Sequence, residues 1–373
     1  MARKFRGFTK KFFLYANIVA VAVFLLACLV PYLNPQKWWF LSFLGLAFPF
    51  LLLVVILFLI GWLIIMKPKM ALISAVALLL SFKSITVFFA FKRQGSFTTE
   101  KSPETLRIVS WNVARFVELK KNMNKGSQTR QKMFDLIRAQ NADVLCLQEF
   151  HTSIKEEYYN NIEAVQNELG YPYYFFSFDT DGDKHYYSSI IFSRYPIIDS
   201  GFVRYPRPTL PDVLLQADIK WNNDTVRIFT THLQSLQFDK KDYESLNKIK
   251  HVEDSMVSGS KTIISKMKRG YTNRSIQAHI VDEIMSNSPF PKIFCGDLND
   301  VPNSYAYFTV RGNMQDAFLK KSFGIGRTFS GISPTLRIDY IFADNDFRIK
   351  QFKRIPKKLS DHYMLVADIA LEK

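Results

Sequence analysis

Three long apolar runs open the chain, and shorter runs that alternate apolar with polar residues follow them. The first run, Phe12 to Val30, carries no charge and is long enough to cross a hydrocarbon core of about 30 Å. The second, Trp39 to Ile65, is also uncharged. It is flanked by Trp38, Trp39 and Trp62, as in an interfacial aromatic belt. The third, Met70 to Phe91, contains Lys83, which either packs against the other helices or extends toward an interface. Residues 1–93 are therefore predicted to be a membrane region with three transmembrane helices.

Basic residues are unevenly distributed around these runs. Five Lys and Arg residues precede the first run, and Lys67 and Lys69 occupy the turn between the second and third, whereas the first loop holds only Lys37. The positive-inside rule therefore predicts a multi-pass protein of the cell membrane with a cytoplasmic N-terminus and its remaining domain outside the cytoplasm. Lys92 and Arg93 favour the opposite orientation. A cleaved signal peptide is disfavoured, because no clear small-x-small site follows the first run.

A polar segment at residues 94–105 is predicted to be a linker. Helical periodicity follows at Gln128–Gln140, around Tyr158–Leu169 and at Ile276–Met285. Strands outnumber helices, so residues 106–373 are predicted to be an α/β domain in which helices flank a sandwich of two sheets. The predicted strands are Leu106–Val113, Asp143–Gln148, Tyr187–Phe192, Val213–Ile219, Val226–Thr231, Lys292–Cys295, Ile338–Phe342 and Tyr363–Ile369.

The net charge of +16 suggests a nucleic-acid binder until its distribution is considered. Residues 1–93 hold eleven Lys and Arg and no acidic residue, which leaves 38 of the 49 basic residues against all 33 acidic ones, a net of +5. The soluble part therefore does not require a nucleic-acid footprint. Three sparse cysteines give no disulfide framework.

Several predicted strands end at a polar side chain suited to binding a metal ion or a phosphate. Asp and Asn commonly form turns at strand ends, but turn chemistry does not favour Glu or His. In an extended segment residues i and i+2 share a face, so Asp297 and Asn299 can address one ligand, and Gly296 lets the backbone approach it. One site is predicted from the residues at these strand ends: Asn112, Glu149, His232, Asp297, Asn299, Asp361 and His362.

The ligand types at this site favour a hard cation. Glu149 offers carboxylate oxygens, which Mg²⁺ and Mn²⁺ prefer. The chain has neither the His and Cys spacing of a zinc site nor a GxxxxGK[ST] phosphate loop. The predicted cofactor is therefore Mg²⁺, with Mn²⁺ as a substitute.

Seven short motifs, each weak alone, occur in a specific order over roughly residues 105–371: Ser110-Trp111-Asn112-Val113, Leu147-Gln148-Glu149, Ser193-Arg194-Tyr195-Pro196-Ile197, Thr231-His232-Leu233, Gly296-Asp297-Leu298-Asn299, Arg337-Ile338-Asp339-Tyr340 and Ser360-Asp361-His362. In this order they resemble the endonuclease/exonuclease/phosphatase superfamily. The resemblance implies a four-layer α/β sandwich and Mg²⁺-dependent cleavage of a phosphate ester.

The resemblance also implies roles for the matched carboxylates and amides. Glu149 would bind the metal ion, with Asn112 and Asp361 nearby. Asp297 would orient or deprotonate the attacking water, and Asn299 would hold phosphate or water.

Two histidines are implied to contact phosphate. His362 would contact the scissile phosphate, and Asp339 would fix its imidazole. His232 matches a position where phosphatase-like and sphingomyelinase-like members place a second phosphate-binding histidine. Abasic-site endonucleases tend to lack that histidine, so His232 disfavours a repair enzyme. An aspartate behind a histidine sets its tautomer and supports its charged form.

Three further residues are weaker candidates for substrate binding. Tyr186 or Tyr187 lies where family nucleases place a phosphate-contacting tyrosine, although a strand aromatic is more often part of a core. Arg274 either meets a substrate phosphate or is a solvated arginine at a helix start. The Lys-rich insert Gln234–Arg274 follows His232 and either covers the site or forms a surface excursion.

These observations favour a membrane-anchored, Mg²⁺-dependent phosphoesterase that faces the extracytoplasmic side. Because anchoring holds the site near the bilayer, lipid phosphodiesters or headgroup phosphates are the expected substrates. The alternative is a membrane-tethered nuclease, whose DNA binding would be sensitive to salt. A scaffold that has lost catalysis is disfavoured, because Glu149, Asp297 and His362 are all present.

Overall fold

The protein is described by a computed structural model, which covers residues 2–92, 95–121, 128–209, 212–239, 241–242, 244 and 256–372. Part of the insert predicted at 234–274 lies outside these residues. The described helices are α1 Ala2–Leu29, α2 Pro35–Trp38, α3 Ser42–Ile64, α4 Pro68–Leu80, α5 Phe82–Phe88, α6 Thr129–Arg138, α7 Asn161–Leu169, α8 Met256–Ser286, α9 Tyr305–Arg311 and α10 Ala317–Lys321.

The apolar N-terminus forms a helical membrane unit, α1 to α5. Two stretches, Phe8–Tyr32 and Pro35–Ile64, are long and apolar enough to cross a membrane. The predicted third span is broken, because α4 and α5 meet at Ser81 with a bend of 63°. The described residues therefore contain two such helices, or three spans if the bent pair crosses as one.

Aromatic side chains join α1 to α3 along an antiparallel contact. The rings of Phe13 and Trp62 lie 4.8 Å apart, and those of Phe24 and Phe48 lie 5.5 Å apart. Trp62 is fully buried in this contact, so the expectation that it belongs to an interfacial aromatic belt is wrong.

Two six-stranded mixed sheets form the centre of the second part of the molecule, and β1 and β11 form a separate two-stranded sheet. One has the order β13-β14-β2-β3-β5-β4 and the other β10-β12-β9-β8-β7-β6, with parallel pairs at β2/β3 and β8/β9. The strands are β1 Ala90–Phe91, β2 Leu106–Asn112, β3 Val144–Ser153, β4 Tyr173–Phe176, β5 His185–Ser193, β6 Ile197–Arg204, β7 Val213–Trp221, β8 Asp224–His232, β9 Lys292–Asp297, β10 Gln315–Asp316, β11 Phe323–Gly324, β12 Asp339–Ala343, β13 Phe347–Ile355 and β14 Met364–Leu371.

Alternating side chains on the central strands build the four layers. On β3, Val144 and Cys146 point into the core between the two sheets, whereas Leu145 and Leu147 point outward. The outward residues of the first sheet pack beneath α6 and α7, and those of the second pack beneath α8 and α9. The predicted α/β sandwich of two mixed sheets with flanking helices is confirmed.

Six of the described strands were missed in the sequence, three of them only two residues long (β1, β10 and β11), together with the short helices α9 and α10 and most of α8. The three longer missed strands are β4, β6 and β13. β4 is short, β6 is largely exposed, and β13 carries alternating charged residues, so none of them shows a sustained apolar run. The helix predicted at 276–285 begins 20 residues earlier, at Met256.

The membrane unit is attached to the two-sheet domain through contacts that involve backbone atoms. β1 pairs antiparallel with β11, although the sequence places residues 90–91 in the membrane region. The guanidinium of Arg337 donates to the Val87 carbonyl (2.8 Å), and the Asn303 amide donates to the Ser84 carbonyl (3.2 Å). These bonds join α5 to the loops of the second sheet.

The loop between α1 and α3 also contacts the domain that contains the two sheets. The Tyr32 ring lies 6.0 Å from that of Phe308, and Lys268 lies over the Trp39 ring at 5.0 Å. Lys83, the charge inside the third apolar run, lies over the rings of Tyr32 and Phe308 at 5.2 and 5.3 Å. Its ammonium group thus meets aromatic faces at the junction of the two units.

Candidate active site

The ends of β2, β8 and β9 and a bulge in β3 bring their polar side chains together at one edge of the sandwich. The Asn112 amide, at the end of β2, donates to Glu149 Oε1 (3.0 Å) and to Asp297 Oδ2 (3.2 Å). The imidazole Nε2 of His232, at the end of β8, lies 3.6 Å from Glu149 Oε1 and 3.8 Å from Asp297 Oδ2. Because β2/β3 and β8/β9 are parallel pairs, their carboxyl ends meet at this edge.

Glu149 lies in a β-bulge within β3. The predicted strand end at Gln148 is wrong, because β3 continues to Ser153 with a register shift between Leu147 and Phe150. Glu149 itself has a φ of 50°, a conformation that non-glycine residues rarely adopt outside functional sites. The bulge turns its carboxylate toward the cluster, where its side chain keeps 28% exposure.

The charge of Glu149 is stabilised by its neighbours. Burial raises the pKa of this carboxyl, but the charges of His232 and His362, the Asn112 hydrogen bond and Arg115 together hold the pKa below its usual range. Glu149 is therefore ionised at neutral pH and available to a cation.

Asp297 is the fully buried centre of the cluster. Its Oδ1 accepts a hydrogen bond from the Asn299 backbone (2.7 Å), and the Asn299 amide donates to the Leu233 carbonyl (3.0 Å). Burial and the neighbouring Asp339 raise the pKa of Asp297 to about 6, although His362 and His232 oppose this rise.

Gly296 serves the sheet rather than a ligand, which corrects the expectation from the sequence. A Cβ at this position would lie 2.5 Å from the Thr231 carbonyl oxygen of the neighbouring strand. The glycine therefore permits β8 and β9 to approach each other beside the cluster.

His362 is held by a carboxylate on its Nδ1 side. Both Asp339 oxygens lie 3.0 Å from His362 Nδ1, and the Trp111 indole donates to the His362 carbonyl (2.9 Å). Burial disfavours the charged ring, but the charges of Asp339 and Asp297 outweigh it and raise the pKa of His362 to about 10. The other ring nitrogen, Nε2, is left to donate to a substrate oxygen.

His232 is held in the same way by a residue missed in the sequence. Its Nδ1 lies 3.1 Å from Asp212 Oδ2, just ahead of β7. Burial disfavours the imidazolium, but this hydrogen bond and the charges of Glu149 and Asp297 raise the pKa of His232 to about 9. Two positively charged imidazoles therefore face one buried aspartate.

Asp361 lies apart from this buried cluster. Its side chain is exposed, accepts a hydrogen bond from Ser360 Oγ (3.2 Å) and lines the cavity in front of His362.

Two sets of residues can be compared as holders of a divalent cation. The carboxylates of Asp297 and Asp339 and the ring of His362 lie within 4.8 Å of one another, but a cation there would compete with the proton of a buried imidazolium. Glu149 is ionised and partly exposed, and with Asp361 it supplies the oxygen ligands that a hard cation prefers. The second set therefore fits Mg²⁺ better. Asn112 currently presents its Nδ2 to Glu149, so ligation through its oxygen requires the amide to turn.

The two candidate tyrosines face opposite sides of β5. Tyr187 lies near the cluster: the Arg115 guanidinium is 4.3 Å from its ring, and burial together with the charges of Glu149 and Asp212 raises its pKa. Tyr186 packs instead toward the outer core, with its ring 5.5 Å from Phe178. The structure thus brings only Tyr187 toward the cluster.

Arg274 is buried within α8, so the expectation of a solvated arginine at a helix start is wrong. Its guanidinium donates to Asp300 Oδ2 (3.1 Å) and to the Gln234 carbonyl (3.0 Å). Although it lines the cavity, its charge is largely engaged by Asp300.

A cavity of about 690 Å³ lies in front of the cluster, and we call it the apolar cavity. Its polar wall contains Glu149, Asn299, Asp361 and His362. Most of its remaining wall is apolar and comes from α3, the segment 235–238, α8 and the loop 329–338.

Comparison with known proteins identifies the class to which this fold and site belong. The model of the Endonuclease/Exonuclease/phosphatase family matches residues 109–362, and the chain belongs to that family. It is therefore a hydrolase of the phosphoesterase and nuclease class, whose members are typically dependent on a divalent metal ion. A second family model, described as a domain of unknown function, matches residues 10–88.

Two solved structures are similar in fold. The endonuclease/exonuclease/phosphatase of Beutenbergia cavernae shares 19% identity at a TM-score of 0.51, with 72% of each chain covered. The human Nocturnin catalytic domain with bound sulfate shares 17% identity at a TM-score of 0.50, with 73% of this chain and 96% of that chain covered. No curated protein matches the chain.

Proposed function

We propose that this protein is a membrane-anchored, Mg²⁺-dependent phosphoesterase in which Asp297 accepts a proton from the attacking water. One observation carries the proposal: the buried Asp297 carboxylate lies 3.6 Å from His362 and 3.8 Å from His232, and each histidine is held by its own aspartate. A base between two cationic donors suits the transfer of negative charge from water to phosphate.

The proposed reaction is hydrolysis of one ester bond. The water oxygen attacks phosphorus and passes a proton to Asp297, and the P–O bond to the leaving group breaks. His362 and His232 donate through Nε2 to the phosphate oxygens, whose charge increases in the transition state. The leaving oxygen takes a proton from a second water, and the hydroxide left behind takes the proton from Asp297, so that an alcohol and a phosphate are released and the carboxylate is restored. Asn299 holds the phosphate or the water, and Tyr187 borders the site. The contacts of Tyr186 and Arg274 assign these two residues to the packing of the domain rather than to substrate binding.

Glu149, with Asp361 and a turned Asn112, would hold Mg²⁺, which supplies Lewis-acid charge on a phosphate oxygen. Mn²⁺ takes the same oxygen ligands and serves as a substitute. Asp339 and Asp212 act through the histidines that they orient.

The positive-inside rule and the packing together support an extracytoplasmic catalytic domain. The loop between α1 and α3 contacts Phe308 and Lys268, so this loop and the catalytic domain share one side of the membrane. The N-terminus of α1 and the turn at Lys67 lie at the opposite ends of these helices, on the side that the charges assign to the cytoplasm. α4 with α5 must then return across the membrane as one bent span, because α4 alone is only about 20 Å long.

Lipid phosphodiesters or headgroup phosphates are the proposed substrates, since the docked membrane unit places the site beside the bilayer. Full-length protein in detergent is tested with Mg²⁺ and with EDTA on bis-p-nitrophenyl phosphate, sphingomyelin, phosphoinositides and plasmid DNA. We expect Mg²⁺-dependent cleavage that Asp297→Asn lowers by about 10²–10⁴. The matched control is Asp199→Asn, an exposed carboxylate of the same sheet.

Cleavage that survives EDTA, or equal activity of Asp297→Asn and Asp199→Asn, would sink the proposal. Cleavage restricted to plasmid DNA and steeply lowered by salt would replace the lipid substrate with the nuclease alternative.

A further inference from the structure

The apolar cavity joins the catalytic cluster to a membrane helix. Glu149, Asn299 and His362 line it, and so do Leu46 and Phe50 from the first turns of α3. The membrane unit therefore contributes part of the wall of the active-site cavity, which is more than an anchor requires.

The wall of the cavity at α3 is formed by a helix that is able to cross a membrane. α3 belongs to the stretch Pro35–Ile64, which is long and apolar enough to cross a membrane. Phe50 lines the cavity and is 57% exposed on the surface of this helix. A hydrocarbon chain in the cavity would thus remain in apolar surroundings between the bilayer and the cluster.

The catalytic domain supplies an apolar wall opposite α3. Leu236, Met267 and Tyr271 line the cavity beside the polar cluster, and Ile332 lines it from the loop 329–338. Phe43 of α3 packs against Tyr271 with ring centroids 5.6 Å apart, so the two walls are held together.

Beyond His362, which the scissile phosphate would occupy, the described lining of the cavity offers a polyanion little positive charge. Arg274, which lines it, is engaged by Asp300, while Glu149 and Asp361 add negative charge. Nucleic acid is bound chiefly through cationic side chains that neutralise successive phosphates. An occupant with one phosphate and a hydrocarbon chain matches this lining.

We propose that the apolar cavity binds the hydrocarbon chain of a lipid phosphate ester while its phosphate lies at Asp297, His232 and His362. This inference rests on the proposed function and specifies its substrate class. Exposing the methylenes of a hydrocarbon chain to water is unfavourable, so a lipid that left the bilayer for a water-exposed site would be strongly disfavoured. A cavity walled in part by a membrane helix reduces that exposure.

The test compares two substrates that share one scissile bond. Full-length protein in bilayer nanodiscs hydrolyses p-nitrophenyl methyl phosphate and p-nitrophenyl hexadecyl phosphate, and nitrophenolate release gives kcat/KM for each. Leu46→Trp fills the cavity, and we expect it to lower the ratio of hexadecyl to methyl kcat/KM by about tenfold, the effect of a steric misfit in a hydrophobic pocket. Partitioning into the bilayer is common to all variants, so the change in ratio reports on the cavity.

Matched variants control for folding and for general effects on the membrane unit. Leu53→Trp changes the same residue type two turns further along α3, at a position 53% exposed, and is expected to preserve the ratio. Ile332→Asp, at a position 53% exposed, places a charge in the cavity without disturbing a core and is expected to lower the ratio. Ile154→Asp, 63% exposed and outside the cavity lining, is its control.

A second measurement needs no catalysis. In a Cys28→Ala background, Leu46→Cys is alkylated by an apolar maleimide, and we expect a hexadecyl phosphonate to slow the reaction while a methyl phosphonate does not. Leu53→Cys should react equally with either. The proposal is overturned if the ratio is the same in all four variants or if Leu46→Cys is not protected. If wild-type hydrolysis is absent while protection of Leu46→Cys persists, the proposed function fails and lipid binding stands.

Discussion

At the scale of single residues, Asp297 and the two histidines are buried side by side and carry opposite charges. Burial and Asp339 raise the pKa of Asp297 to about 6, and the surrounding carboxylates raise the pKa of His232 to about 9. Asp297 accepts a proton only when ionised, and His232 donates to phosphate only when protonated. The kcat/KM is therefore expected to rise with pH through about 6 and to fall through about 9.

Asp212→Asn tests the alkaline limb of this profile. Loss of the carboxylate removes the hydrogen bond that raises the pKa of His232, so the limb should move to lower pH while the acid limb is retained. The measurement is a pH–rate profile on a soluble diester, with Asp199→Asn as the control. An unmoved alkaline limb would exclude His232 as the titrating donor.

The same shift of His232 affects stability. Because its folded pKa lies above the unfolded value of about 6.5, its contribution is fully present below about 6.5 and is lost as pH rises through about 9.

Much of the candidate cluster could be predicted from residue type alone. Glu149 and His232 each follow an apolar run in the sequence, at positions where turn formation gives them no advantage, and this marked them as candidates. Asp212 could not be predicted, because its contact with His232 depends on the register of β7 and β8, in which Leu214 pairs with Thr231. The direction of Tyr186 away from the cluster depends on the same kind of information.

At the scale of elements, α3 approaches the catalytic domain through one glycine. A Cβ at Gly45 would lie 2.5 Å from the Asn303 carbonyl oxygen, a backbone atom of the loop that also binds α5. At Gly61 of the same helix the nearest atom is the tip of the Phe13 side chain, at 3.2 Å. The first contact is rigid and the second can adjust.

Gly45→Ala is therefore expected to destabilise the docked protein by about 1–3 kcal/mol, the usual cost of overpacking. Gly61→Ala should be nearly neutral or stabilising, since alanine gains roughly 1 kcal/mol of helix propensity over glycine. Thermal unfolding of both variants in one detergent provides the comparison. Equal melting temperatures would show that α3 does not approach Asn303 this closely.

The break at Ser81 shows what apolar periodicity leaves out. The run Met70 to Phe91 is apolar enough for one straight helix, and only Lys83 interrupts it. Its course is set by tertiary contacts that no local pattern encodes: Val87 accepts a hydrogen bond from Arg337, and β1 pairs with β11. Long apolar segments were thus recognisable from the sequence, whereas the bend and the docking were not.

At the scale of the whole molecule, the proposed orientation has a direct test. Lys350→Cys places a thiol on the exposed face of β13, and Lys69→Cys places one in the exposed first turn of α4. With an extracytoplasmic catalytic domain, a membrane-impermeant maleimide should label Lys350→Cys in intact cells and Lys69→Cys only after lysis. Both variants are made in a Cys28→Ala background, because Cys28 is partly exposed, whereas the native cysteines at 146 and 295 are buried and give little background.

The reverse pattern of labelling would place the catalytic domain in the cytoplasm, as Lys92 and Arg93 would favour. Labelling of both positions in intact cells would show that the turn at Lys69 and the catalytic domain share a side, and the bent pair would then not cross the membrane.

The pairing of β1 with β11 holds the membrane unit directly against the catalytic domain, without a flexible tether between them. A phosphoesterase on a long tether would sample a hemisphere of solution, whereas this one is fixed in height and tilt relative to the bilayer plane. With the proposed lipid substrate, the supply of substrate would be two-dimensional. Turnover should follow the mole fraction of lipid substrate in the membrane, and inert lipid should slow the enzyme by surface dilution even when the bulk substrate concentration is unchanged.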